Sequence, residues 1–340
     1  MEITLIQDES TWGDMKDEWN QLLTSSSANL PFLRHEYLTA WWQHRGGGEW
    51  PEAALYILTA RSSQGDLTGI APFFSSKNNA GKQAVMFLGS IEISDFLDVI
   101  VRPEDQDAFI ESILAYLAGQ ETPSWDVLDL YNLLEDSDSL AALESFSSKF
   151  NYQFERETIQ PAPIIRLPGD FESYTASLDK KNRHELRRKI RNAAGYPVPT
   201  SWSYIEDAEE QKEFMLDFSA MMREEQDKDE FLTDEMILQM TAIVEAGYQA
   251  GFMRFACFYV GEEHAAGYLI FDYDNRIWVY NSGMARKHSR LSPGIVLMGH
   301  LIMDAIEKGR EAVDLMRGDE TYKYHMGGEN RYVVRATITR

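Results

Sequence analysis

The stretch His288-Ser-Arg-Leu-Ser-Pro-Gly294 decides the reading. It is followed by the apolar run from Ile295 to Ile306 and then by Ala312-Val-Asp-Leu315. Ser292 at an N-cap, Pro293 at the first helical position and Gly294 beside it predict a helix start. The first amides of a helix have no partner within the helix, and a glycine there leaves them uncovered. Such a terminus attracts phosphate. Arg286, Lys287, His288 and Arg290 lie just upstream, four groups that are or can become cationic. Ser292, Pro293, Gly294 and Ile295, with Arg290 and Lys287, are therefore the expected anion-binding residues. The strand after the helix delivers a polar loop, Gly318-Asp-Glu-Thr-Tyr-Lys323.

The bulk composition narrows the setting. At 340 residues, the chain is long enough for two domains, with a boundary expected at 165/166. It carries 55 acidic against 32 basic side chains, a net charge of −23. That average field repels phosphate polymers and anionic membranes, so DNA is not an expected partner, and tRNA is the less favoured one. The single cysteine, Cys257, sits in an apolar run and excludes an intrachain disulfide. The N-terminus lacks a basic region and an apolar stretch of signal-peptide length. No run approaches the length needed to span a bilayer. These features predict a cytoplasmic protein. The seven histidines form no pair at ligand spacing, so no metal is expected. Oligomeric state is not legible.

The chain repeats itself loosely. Residues 53–60 and 69–74 read as a hairpin around Gly65-Asp66, and 254–260 with 265–271 as a second hairpin around Gly261. An offset of 198 lays Gly69 on Gly267. The helix 108–117 and strand Val127-Leu-Asp-Leu130 have counterparts in 295–306 and Val313-Asp-Leu315, now offset by 185. Both halves read hairpin, strand, helix, strand, which predicts an α/β (α+β) fold of two tandem domains with mixed sheets flanked by helices. The first half opens its helix with Pro103-Glu-Asp-Gln-Asp107, whose carboxylates satisfy the helix dipole and repel phosphate. Only the second half is built to hold a diphosphate.

These tracts, with Pro31-Phe32 to Trp41-Trp42, Ser94-Asp-Phe-Leu-Asp98 and the basic helix 180–191, fall in order along the chain. In that order the sequence resembles the GNAT-superfamily N-acyltransferases. Within them it is similar to the double-GNAT branch of CelD/BcsL-type acetyltransferases and FemABX peptidyltransferases. The resemblance implies an enzyme, a transferase moving an acetyl or other acyl group from coenzyme A to an amine. An amino sugar or another envelope or polysaccharide precursor fits as acceptor, bound in a cleft between the domains. An aminoacyl-tRNA-dependent Fem-like peptidyltransferase and a non-catalytic GNAT-fold binding protein are the alternatives. The pyrophosphate loop of the family reads Arg/Gln-x-x-Gly-x-Gly/Ala, and this chain keeps one of those glycines.

Acyl transfer to nitrogen needs a base for the ammonium, a donor for the oxyanion and an acid for the leaving thiolate. Asp319 and Glu320 suit the first role, Lys323 the second and Tyr322 the third. The Fem resemblance favours Lys323. The alternative for this loop is a surface connection between C-terminal strands. The helix around Lys180, Lys181, Arg183, Arg187, Arg188, Lys189 and Arg191 is amphipathic with one cationic face. It is either a solvated face or a contact for an anionic ligand, through Arg183 and Arg187. Ser94, Asp95 and Asp98 either bind an amine or cap the next turn, and Trp42 is either core or a ligand platform.

Overall fold

The computed structural model describes residues 1–119, 123–224 and 231–340. The chain divides into two compact units, Met1–Gln160 with Tyr332–Arg340, and Pro161–Arg331.

In the first unit the elements are β1 (Ile3–Ile6), α1 (Glu9–Asp14), α2 (Lys16–Thr24), α3 (His35–Gln43), β2 (Ala54–Leu55), β3 (Ile57–Arg61), β4 (Leu67–Ala71) and β5 (Phe73–Lys77). They continue with β6 (Gln83–Phe87), β7 (Ile100–Val101), α4 (Gln106–Ala118), β8 (Val127–Leu134), α5 (Asp138–Ser147) and β9 (Gln153–Pro161). The second unit holds β10 (Ile164–Arg166), α6 (Phe171–Ser177), α7 (Lys180–Ala194), β11 (Thr200–Ile205), α8 (Ala208–Arg223), α9 (Asp234–Gln249) and β12 (Met253–Val260). After these come β13 (Glu263–Tyr273), β14 (Arg276–Met284), α10 (Pro293–Glu307), β15 (Ala312–Asp314) and α11 (Thr321–His325). The final strand, β16 (Tyr332–Thr339), pairs with β8 of the first unit, so the last residues of the expected second domain complete the first unit's sheet.

The sheets are mixed. The first unit has a four-stranded sheet ordered β1-β3-β4-β7 and a six-stranded sheet ordered β2-β5-β6-β8-β16-β9. The second has one six-stranded sheet ordered β10-β15-β14-β13-β12-β11. The two-domain α/β architecture expected from the sequence is the architecture found.

One predicted hairpin is split. Residues 69–74 were expected as one strand, yet β4 ends at Ala71 and β5 starts at Phe73, in different sheets. Pro72 has no N–H to offer a ladder, so the chain turns from one sheet to the other there. The 198-residue match of glycines has a physical basis, though not equivalence. A Cβ on Gly69 would lie 2.5 Å from the Phe109 ring of α4, and one on Gly267 would lie 2.6 Å from Phe214 of α8. Each glycine admits a phenylalanine ring against its strand, but α4 follows its hairpin and α8 precedes its own.

The 185-residue match is deeper. Asp129 of β8 and Asp314 of β15 are both fully buried. Arg335 donates to both oxygens of Asp129, at 2.7 and 2.9 Å, and Arg331 donates to Asp314 Oδ2 at 2.6 Å. Each unit thus fixes the strand after its crossover helix with a buried carboxylate held by an arginine from the C-terminal stretch. A buried carboxylate without such a partner is costly, which ties the pair to the fold.

Candidate functional site

The second unit's site grows from the parallel pair β14 and β15. Their register runs from Arg276–Ala312 to Trp278–Asp314. Beyond that point β14 continues to Met284, and among the described residues no ladder pair with β15 accompanies it. Strand β15 ends at Asp314, and the connections leaving the C-terminal ends of the two strands are the 285–292 turn and the 315–323 loop. Ligands of α/β sheets bind at such carboxyl ends. A bulge lies on the other side of β14: Leu269 pairs with Asn281 and Ile270 with Val279, leaving Tyr280 as the extra residue.

The turn after β14 is a 3₁₀ segment, Arg286–Leu291, leading into α10. Ser292 was expected to cap the helix with its hydroxyl. Instead it adopts a left-handed conformation, φ 51° and ψ 54°, and makes no side-chain cap. The sharp turn, not the hydroxyl, aims the helix. Pro293 occupies the first turn as expected. The first helical bond runs from the Val296 N–H to Ser292 O at 3.1 Å, so the amides of Gly294 and Ile295 precede the ladder. Gly294 has a packing reason as well: a Cβ there would lie 2.6 Å from Met284 Sδ, and Tyr268 donates to Gly294 O at 3.1 Å. The rest of α10 is anchored by fully buried Val296, Leu297, Leu301 and Ile302, each contributing about 1.5–3 kcal/mol through burial.

A pocket of about 370 Å³ opens at this terminus. Ser292, Pro293, Gly294 and Ile295 line it, together with Met284, Ala285, Arg286 and Ser289 from the turn. Two further residues come from distant sequence, Lys189 of α7 and Glu224 just beyond α8. The basic helix is thus brought to the pocket through one of its lysines. Helix α7 packs on α10 where Gly299 leaves room; a Cβ there would stand 3.0 Å from Ile190. The Lys189 side chain is about one-fifth exposed, and its ammonium lies 3.8 Å from Glu185 one turn earlier on α7.

Other expected residues lie elsewhere. Arg290 is exposed and Lys287 pairs with Glu263 at 3.0 Å; neither lines the pocket. Arg187 donates to Glu172 at 2.7 Å and to Thr175 at 2.8 Å, and Arg183 to Ala176 O at 3.3 Å, so both tie α7 to α6.

The 315–323 loop departs most from expectation. Lys323 is buried within the short helix α11. Its ammonium donates to Met316 O at 3.2 Å and Arg317 O at 2.6 Å, and pairs with Glu320 at 3.0 Å. A lysine satisfied in this way closes its own loop. Asp319 accepts from the Tyr324 hydroxyl, Tyr322 packs on the unit's core, and Asp314 accepts from the Met316 N–H at 3.0 Å.

In the first unit Asp98 is buried, accepting from Ser137 Oγ at 2.6 Å and the Val99 N–H at 2.7 Å. Burial pushes its carboxyl up to about 6. Ser94 is buried against the Tyr37 hydroxyl at 3.1 Å. Both serve the fold, while Asp95 is half-buried. Trp42 is core: it donates to Glu9 at 2.7 Å and lies under Arg45, whose guanidinium carbon is 3.7 Å from the ring centre. Among the described residues no helix is long and apolar enough to cross a membrane, and no group of three or more His, Cys, Asp or Glu is placed to hold a metal.

Residues 180–324, within the unit bearing the pocket, match a family model described as an acetyltransferase (GNAT) domain. The whole chain is similar in fold to FemX, with a TM-score of 0.67 at 11% identity, over 98% of this chain and 97% of that one. L-PGS from Bacillus licheniformis is similar at a TM-score of 0.57 and 13% identity, over 99% and 93%. A tandem GNAT protein from the clavulanic acid biosynthesis pathway gives 0.50 at 12%, over 98% of each chain. These likenesses are of fold. No curated protein matches the chain by sequence.

Proposed function

We propose that the second unit binds an acyl-coenzyme A and passes its acyl group to an amine. The observation that carries this reading is the pocket at the N-terminus of α10, inside the matched domain. The amides of Gly294 and Ile295 suit the donor's diphosphate, since helix termini present N–H groups and a positive dipole end to anions. Lys189 and Arg286 add two cations to the lining. Beyond Trp278, where its ladder with β15 ends, β14 offers a path for the donor's thioester arm.

In the transfer, the amine nitrogen attacks the thioester carbonyl, a C–N bond forms, the C–S bond breaks, and the proton lost by nitrogen is matched by one gained at sulfur. Asp319 and Glu320 are the carboxylates proposed to take the first proton, and Tyr322 the group proposed to supply the second. No cysteine intermediate is invoked: Cys257 is buried, and burial pushes its thiol up to about 12. Asp95 is the group proposed for an amine acceptor, an amino sugar or related envelope precursor. The second donor that the sequence's Fem resemblance implies is an aminoacyl-tRNA.

The test is a melting experiment with coenzyme A. A donor that binds only the folded chain raises the melting temperature, and the shift grows with the logarithm of its concentration once that exceeds the dissociation constant. The wild type should shift, and Lys189→Gln combined with Arg286→Gln should lose most of the shift. A shift untouched by the double substitution would place the donor elsewhere. No shift with coenzyme A, alongside binding of aminoacyl-tRNA, would favour the second donor.

A further inference from the structure

Among the described residues Glu224 is the one carboxylate in the pocket lining, and its position does not suit a residue that welcomes phosphate. Its Oε2 accepts from the backbone N–H of Arg286 at 2.7 Å. That amide opens the 3₁₀ turn carrying Arg286 and Ser289, and the same pocket wall continues to Gly294 and Ile295. A carboxylate therefore sits on an amide of a wall otherwise suited to anions, among apolar neighbours Met284, Ala285, Pro293 and Ile295. The other polar members of the lining are Lys189, Arg286, Ser289 and Ser292.

Resting on the reading of this pocket as the donor's diphosphate site, we infer that Glu224 is an internal anion that stands in for the donor's phosphate and is displaced by it. In the free chain the carboxylate satisfies the Arg286 amide and holds the turn in its binding shape. On entry the diphosphate takes over the amides, and Glu224 swings out with its charge. The residue thereby keeps the turn ordered at the cost of donor affinity, and it sets a threshold that weakly charged anions do not pass.

Substitution by glutamine separates the two roles. The Gln amide oxygen still accepts from Arg286, so the turn stays anchored, while the competing charge is gone. Coenzyme A binding, measured by calorimetry, should tighten roughly five-fold or more in Glu224→Gln, the scale of removing a like charge about 4 Å away in a watery medium. The gain should shrink as salt is raised, because screening weakens the repulsion that was removed. Inorganic pyrophosphate, which lacks the rest of the donor, should show the same gain. Glu224→Ala, which gives up the anchor as well, should gain less than Glu224→Gln. Affinity unchanged or weakened in Glu224→Gln, with wild-type binding intact, would overturn the inference and leave the donor site standing. Absence of binding by the wild type and both variants would overturn the donor site and this inference with it.

Discussion

The crossover helices α4 and α10 occupy matching places in the two units, and their N-termini are built oppositely. Helix α4 follows a 3₁₀ turn of Pro103-Glu-Asp105 and has Asp107 in its first turn, so its dipole is answered by its own carboxylates. Gln106 at its start is buried and donates to Ser139 Oγ at 2.8 Å. Helix α10 starts from a left-handed Ser292, has no acid in its first turn, and faces a pocket lined by Lys189 and Arg286. What the two units share is what the fold needs, above all the buried aspartate–arginine pairs. What they do not share lies at a helix start, where side chains decide whether an anion is invited.

The largest expected effect breaks the shared part. Asp314→Ala should cost about 3–5 kcal/mol in urea unfolding, because it leaves Arg331 without its buried partner. Asp129→Ala should cost less, since the Arg335 side chain is 28% exposed against 15% for Arg331 and can turn to water. Losses below about 1 kcal/mol in both would remove the pairs from the account of the repeat.

Next comes Lys323, whose burial makes it a structural residue. Lys323→Met should lower stability by roughly 2–3 kcal/mol, the scale of losing hydrogen bonds from a charged group. It should act on turnover only as far as the 315–323 loop loosens. A variant with wild-type melting and abolished transfer would return the lysine to the chemistry.

A smaller effect belongs to the first unit and is read through pH. The Asp98 carboxyl is raised to about 6 in the fold, against 3.8 as its ordinary value. The native state therefore holds this proton more tightly than the unfolded chain does. Its contribution is greatest below about pH 4, is lost as pH rises through 6, and is flat above that. Asp98→Asn should flatten this slope, which amounts to about 1–3 kcal/mol. An identical slope in the variant would assign the titration to another group.

Much of this was legible in the sequence. The helical spacing of 295–306, the Ser-Pro-Gly start and the basic run 180–191 each identified a helix within a few residues of its ends. The pocket's near wall, Ser292 to Ile295, was legible because it is contiguous. Its far wall was not: Lys189 and Glu224 come to it only through the packing of α7 on α10 and the end of α8 beside the turn, and no local spacing encodes that. Pro72 marked a break that the flanking apolar residues disguised. The burial of Lys323 was not legible for a physical reason, since a lysine among polar neighbours reads the same whether its ammonium meets solvent or two backbone carbonyls. Strand β16 was assigned by chain order to the second domain, whereas its partner β8 lies some two hundred residues earlier.

The central claim is that one unit, the second, holds the donor. Calorimetric titration of coenzyme A tests it most directly. The wild type should bind one equivalent per chain, Ser289→Glu should weaken binding roughly five-fold or more by adding a carboxylate to the pocket lining, and Asp105→Glu at the start of α4 should change nothing. A second equivalent, or binding that Ser289→Glu leaves at wild-type strength, would contradict it.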